Sequence, residues 1–256
     1  MFREVPCIRV EEEAFAGGEH AVVEEVAFTV TVNGRQALTA MTGPAMLREF
    51  VTGFLFTEGI VRGLDEIESM TIEEHAASVL TTNPFAILVS KKTVLSGCGG
   101  TSSFLDGARL PTVSSDLEVT PATLRAAVQD ALTSDLHART GGVHIVGLYD
   151  REGRVCLAED IGRHNAMDRV IGYGLLHEID FSRTFVVCSG RISSEMVRKC
   201  LVAGVPVVVS RGATTTLALR IAEEGGVTVV GFARGRKMNI YTRPERVAGA
   251  PSLPRE

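Results

Sequence analysis

Thr184-Phe185-Val186-Val187-Cys188-Ser189-Gly190-Arg191-Ile192-Ser193-Ser194-Glu195-Met196-Val197 sets the rhythm of the second half of the chain. The apolar run ending at Cys188 shows no polar alternation, so it reads as a strand covered on both faces. Ser189 and Gly190 break it, and a helix is expected over 193–203. The pattern continues downstream with a strand over 205–209, a helix over 215–223 and a strand over 227–232. Upstream, a strand over 143–149 turns through Asp150-Arg151-Glu152-Gly153 into Val155-Cys156-Leu157, and a helix spans about 165–176. Thr120-Pro121 caps a further helix whose Leu124, Val128 and Leu132 share one face. Valine-rich runs separated by helices predict an α/β layered domain with a mostly parallel sheet.

The first part reads differently. Phe28, Val30 and Val32 alternate with threonines, and Asn33-Gly34 is a hairpin signal. Gly43-Pro44 opens a helix carrying Leu47, Phe50, Val51, Phe54 and Leu55, and Gly59 marks its end. Residues 64–94 read as short strands broken by Asn83-Pro84. The polar stretch Pro111-Thr112-Val113-Ser114-Ser115-Asp116 suggests a boundary, giving a β-rich part over 1–110 and an α/β part over 111–256. The proline-containing tail from Gly249 is expected to fray.

The chain has 256 residues, 45% hydrophobic and 22% charged, which suits a globular protein. A net charge of −5 argues against a broad nucleic-acid-binding face. No apolar run approaches the length of a membrane span, and the N-terminal residues resemble no signal peptide, so a cytoplasmic location is expected. The five cysteines, Cys7, Cys98, Cys156, Cys188 and Cys200, form no Cys-x-x-Cys pair. Cys156 and Cys188 sit in apolar strand-like runs and read as inert core residues. Cys98 is different. It lies in Leu95-Ser96-Gly97-Cys98-Gly99-Gly100-Thr101-Ser102-Ser103, where small residues can build neither a core strand nor a stable helix. A thiol in such a loop can be exposed and can approach a partner, as sulfur exchange requires.

Polar clusters fall where strands end. Glu159-Asp160-Ile161-Gly162-Arg163-His164-Asn165-Ala166-Met167-Asp168-Arg169 follows a strand and opens a helix, a place that suits phosphate. Thr140-Gly141-Gly142-Val143-His144 leads into a strand. Ser189-Gly190-Arg191 and Ser210-Arg211-Gly212 leave strands. Gly231-Phe232-Ala233-Arg234-Gly235-Arg236-Lys237 follows the last long strand. Any one of them could be an ordinary capped turn; together they describe a crevice for an anionic ligand.

These blocks, in this order, resemble the FdhD family of formate dehydrogenase accessory sulfurtransferases. The likeness is strongest over about 139–247. It implies a cytidine-deaminase-like core and a homodimer. It implies that a cysteine desulfurase passes sulfur to Cys98 as a persulfide. The sulfur would then reach the molybdenum or tungsten of a bis(molybdopterin guanine dinucleotide) cofactor destined for formate dehydrogenase. Phe232, Ala233, Arg234, Gly235, Arg236 and Lys237 match the cofactor-binding region, and guanine nucleotides such as GDP would fit the same place. Gly142, His144, Asp160, Gly162, Arg163, His164, Asn165, Ser189, Gly190 and Arg191 are the further expected ligand contacts. No resident metal, nucleic acid or membrane is implied, and the zinc-deaminase pattern of His-x-Glu with Pro-Cys-x-x-Cys is absent. The family's usual Cys-Gly-x-Cys loop has Thr101 at its second cysteine here, which forbids an intraloop disulfide but not a one-thiol relay. The Ser210 to Thr216 stretch also lacks a proline often found there. An alternative role is a cofactor-binding chaperone that moves no sulfur.

Overall fold

The computed structural model describes residues 1–85, 92–94, 101–103 and 110–253. The chain begins with a hairpin of two ten-residue strands, β1 (Phe2–Glu11) and β2 (Ala14–Val23). Its base packs against α3 (Asp135–Thr140), where Arg139 lies over the Phe2 ring and Val23 meets Gly142. Towards the tip, Ile8 and Phe15 are 71% and 76% exposed.

A four-stranded sheet follows, in the order β4-β3-β6-β5: β3 (Val26–Val32), β4 (Arg35–Thr42), β5 (Ile67–Ile72) and β6 (Ala76–Thr81). Alternation in β3 turns Phe28, Val30 and Val32 onto one face, where α1 (Leu47–Thr57) covers them with Phe50, Val51, Phe54 and Leu55. Asn33 and Gly34 both take positive φ, the conformation a tight two-residue hairpin needs. Gly43-Pro44 precedes the helix by a short turn rather than opening it. The backbone strands β7 (Lys92–Val94) and β8 (Thr101–Ser103) pair antiparallel.

The second part holds a six-stranded sheet in the order β10-β9-β11-β12-β13-β14. Its strands are β9 (His144–Tyr149), β10 (Arg154–Asp160), β11 (Phe185–Cys188), β12 (Val207–Ser210), β13 (Thr228–Arg234) and β14 (Lys237–Thr242). The expectation of a mostly parallel sheet is corrected. Only β11-β12 and β12-β13 run parallel; the other three pairings are antiparallel. Hairpins cause this. Asp150 closes the β9–β10 turn by accepting from the Glu152 and Gly153 amides, and a tight turn can only join antiparallel strands. Apolar runs report burial, and they are silent on direction.

The sheet is covered on both faces. Phe185 and Val187 face α2 (Pro121–Ala131), with Leu124, Ala127 and Val128. Val186 and Cys188 face α4 (Arg163–Leu176), α5 (Ser194–Ala203) and α6 (Thr216–Gly225). No helix among the described residues is long and apolar enough to cross a membrane.

Helices α1 and α4 join the two parts at backbone contact. A Cβ built on Gly53 would lie 1.8 Å from the Asp168 carbonyl oxygen, and one on Gly172 would lie 1.9 Å from that of Glu49. Beside this crossing lies a buried ionic cluster. Lys199 Nζ donates to Asp168 Oδ1 at 2.7 Å and to Thr57 Oγ1 at 2.9 Å, and Arg198 pairs with Glu58.

Candidate functional site

Because β9 runs against β11, the start of β9 and the ends of β10, β11 and β12 share one sheet edge. The register places Asp160 opposite His144, Cys188 opposite Val146, and Ser210 opposite Cys188. The predicted strand-end clusters therefore do meet. Ser189 is fixed by a two-way exchange with Ile145: its amide donates to the Ile145 carbonyl, and its Oγ accepts from the Ile145 amide, both at 2.9 Å. Ser210 Oγ donates to the Gly190 carbonyl at 2.5 Å and accepts from the Gly212 amide at 2.8 Å. The Phe232 amide donates to the Gly212 carbonyl at 2.9 Å, which ties β13 into the same edge. Gly190 is closely packed: a Cβ there would sit 3.1 Å from His144 Nδ1 and 3.3 Å from Arg163 Cδ.

The edge is rich in cations that meet no counterion among the described residues. Arg163 Nε is buried and has no hydrogen-bond partner. Among the described residues, Arg163, Arg191, Arg211, Arg234, Arg236 and Lys237 enter no ion pair. Helix α4 starts at Gly162 and α5 at Ser193 without a side-chain cap, so their first amides add partial positive charge. Such an edge favours anions, and guanidinium forks match phosphate oxygens.

Two histidines stand in this field. Burial, and then the Arg163 cation, lower the pKa of His144. The same causes, in the same order, push His164 down to about 3. A neutral His164 protonated on Nε2 donates to Glu195 Oε2 at 3.1 Å. His164 is therefore expected to stay neutral from about pH 5 to pH 8. An NMR titration of its ring protons should be flat there, and an inflection near about 6.5 would contradict the assignment. The linkage sign follows. A pKa lowered by folding contributes stability above the ordinary histidine value. That stability is lost as pH falls from about 6.5 towards about 3, where only the unfolded chain takes up the proton.

Not every expected contact lines the opening. Asp160 is 1% exposed, and both its oxygens are engaged within the chain. Oδ1 accepts from the Gly162 amide at 2.7 Å and Asn165 Nδ2 at 2.9 Å. Oδ2 accepts from Thr42 Oγ1 at 2.6 Å and the Gly43 amide at 2.9 Å, and also pairs with Arg169. Asp160 and Asn165 thus shape the loop that presents Arg163. Gly142 lies at the base of the N-terminal hairpin, close against Val23.

The basic segment is a hairpin turn, since β14 follows it. The register of β13 with β14 shifts between Gly231 and Arg234, Phe232 takes φ +51°, and Gly235 takes φ +56°. A positive φ at an aromatic residue is a costly conformation that clusters at functional sites. Phe232 is 40% exposed and lies under the Arg234 guanidinium, whereas Ala233 is buried. Glu195 is a site residue that sequence reasoning did not single out; its signal was its place as the acid in the first turn of α5. Among the described residues, no three His, Cys, Asp or Glu side chains gather as a metal site. Cys98 falls between β7 and β8, outside the described residues.

The model of the FdhD/NarQ family matches residues 23–248. The chain belongs to this family. A relative from Bacillus pumilus named sulfur carrier protein FdhD is 39% identical over 237 residues, covering 88% of this chain and 90% of its own. A protein of the same name from Thermoplasma acidophilum is 33% identical over 250 residues, covering 91% and 89%. The FdhD/NarQ fold extends to a crystal structure described as that of a formate dehydrogenase accessory protein from Desulfotalea psychrophila. That structure has a TM-score of 0.82 at 26% identity and covers 96% of this chain and 99% of its own.

Proposed function

We propose that this protein carries sulfur as a persulfide on Cys98 and passes it to the molybdenum or tungsten of a bis(molybdopterin guanine dinucleotide) cofactor bound as substrate in the crevice. The observation that carries the reading is the row of cations at one sheet edge that enter no ion pair among the described residues, in a chain whose relatives are named sulfur carrier proteins. A cofactor with several phosphates fits such an edge. Arg163, Arg191, Arg234, Arg236 and Lys237 would hold its phosphates, and uncapped α4 and α5 would add their amides.

The cysteine chemistry agrees. Burial pushes Cys156 up to about 12, Cys188 up to about 11, and Cys200 higher still. Those thiols are poor nucleophiles, because the thiolate is the attacking species. In the proposed step the Cys98 thiolate attacks the outer sulfur of a cysteine desulfurase persulfide. One S–S bond forms, one breaks, and the donor leaves as a thiolate, with no net change in electron count. Release of the carried sulfur as sulfide then consumes two electrons from a thiol reductant. Formate dehydrogenase as client, a homodimer, a cytoplasmic location and a deaminase-like layering of the second part belong to the same proposal.

Intact-protein mass after incubation with an active cysteine desulfurase and cysteine tests it. Wild type should gain the mass of one sulfur atom, reversibly by reductant, and Cys98→Ala should gain none. Equal gain by both, or none by wild type, would overturn the carrier role. The second outcome would favour a cofactor-binding chaperone, a reading supported by Thr101 standing where the family usually has its second cysteine.

A further inference from the structure

Beside the basic hairpin, α2 forms the far wall of a cleft of about 90 Å³ lined by Arg125, Gln129, Arg211 and Arg234, with Val128 and Leu132 among its apolar residues. Three arginines line this one space. The cleft is placed by packing. Leu124, Ala127, Val128 and Ala131 bury one face of α2 on the sheet, which leaves Arg125 and Gln129, four residues apart, along its flank. From the opposite side, Arg234 Nε donates to the Arg211 carbonyl at 2.9 Å, and that bond fixes the arginine while its terminal nitrogens meet no hydrogen-bond partner among the described residues.

Among the described residues, none of the three arginines enters an ion pair. The acid nearest in sequence, Asp130, is taken by Tyr149 Oη at 2.8 Å and by Arg154. Three like charges around a partly apolar space repel one another unless an anion joins them. The space suits a diphosphate rather than a whole nucleotide.

We propose that Arg125 of α2 is a ligand-binding residue, and that the cleft between α2 and the β13–β14 hairpin takes the diphosphate of a nucleotide, with Arg211 and Arg234 holding its other side. The assignment rests on the cofactor reading above and extends that site onto a helix outside the strand-end clusters.

Calorimetric titration of the full chain with GDP, inorganic pyrophosphate and guanosine tests it. Arg125→Gln should weaken GDP and pyrophosphate by about tenfold to a hundredfold, the loss expected for one charge-assisted contact, and leave guanosine unchanged. Arg125→Lys should recover part of the GDP loss, because the charge returns without the fork. Unchanged GDP and pyrophosphate affinities in Arg125→Gln, with Arg234→Gln weakened, overturn the α2 assignment alone. Wild-type protein that binds neither GDP nor pyrophosphate overturns the assignment together with the nucleotide reading. Equal weakening of guanosine would mean that α2 contacts the base or has shifted, and also counts against it.

Discussion

Gly172→Ala is expected to destabilise the protein by about 2 kcal/mol. Helix propensity alone points the other way, since alanine in a helix interior is favoured over glycine by about 1 kcal/mol. Geometry reverses the sign. The new methyl carbon would lie 1.9 Å from the Glu49 carbonyl oxygen and 2.8 Å from the Gly53 amide nitrogen, so it meets backbone that no rotamer change can move. Helices α1 and α4 must separate, and overpacking of this kind costs about 3 kcal/mol. Urea unfolding would show the fall in midpoint. Gly17→Ala is the control, because a Cβ there meets nothing within 4 Å. A Gly172→Ala protein as stable as wild type would mean that the helices do not touch at their backbones.

Lys199→Met is expected to cost more, about 3–5 kcal/mol. Lys199 is only 4% exposed in its side chain, and it supplies two of the hydrogen bonds to the equally buried Asp168. Methionine fills the volume and leaves that carboxylate with Thr57 Oγ1 as its other partner. An uncompensated buried charge is the costly state, whereas removal of both charges often is not. Asp168→Leu combined with Lys199→Met should therefore recover most of the loss in urea midpoint. Equal stability of Lys199→Met and wild type would rule out an ionised pair.

Much of the fold was legible because its signals are local. Asn33-Gly34, Thr120-Pro121 and the valine runs each report a preference that depends on neighbouring residues. The convergence of the strand-end clusters was legible for the same reason: each cluster ends a strand, and strands of one sheet end together. What escaped depended on contacts distant in the chain. Strand direction follows from the connecting turns, and an apolar run carries no sign of it. Asp168, Arg169, Arg198 and Lys199 look like solvated helix charges, yet they are buried because their partners come from around residues 42–58 and 160. Asp160 looked like a ligand contact for the same reason, since nothing near it in sequence reveals Thr42 and Gly43. Arg125 lies on a helix with no cluster of its own, and only the fold brings it beside Arg211.

Asp160 is one carboxylate shared by two parts of the molecule. One oxygen serves the Gly162 loop of the crevice, and the other serves Thr42 and Gly43 at the end of the small sheet. In the language of cooperativity, this makes subglobal opening expensive. Lifting the small sheet away would take two of the five donors from Asp160 and two of the four acceptors from Arg169. The crevice and the small sheet are consequently held in one frame, and they open together.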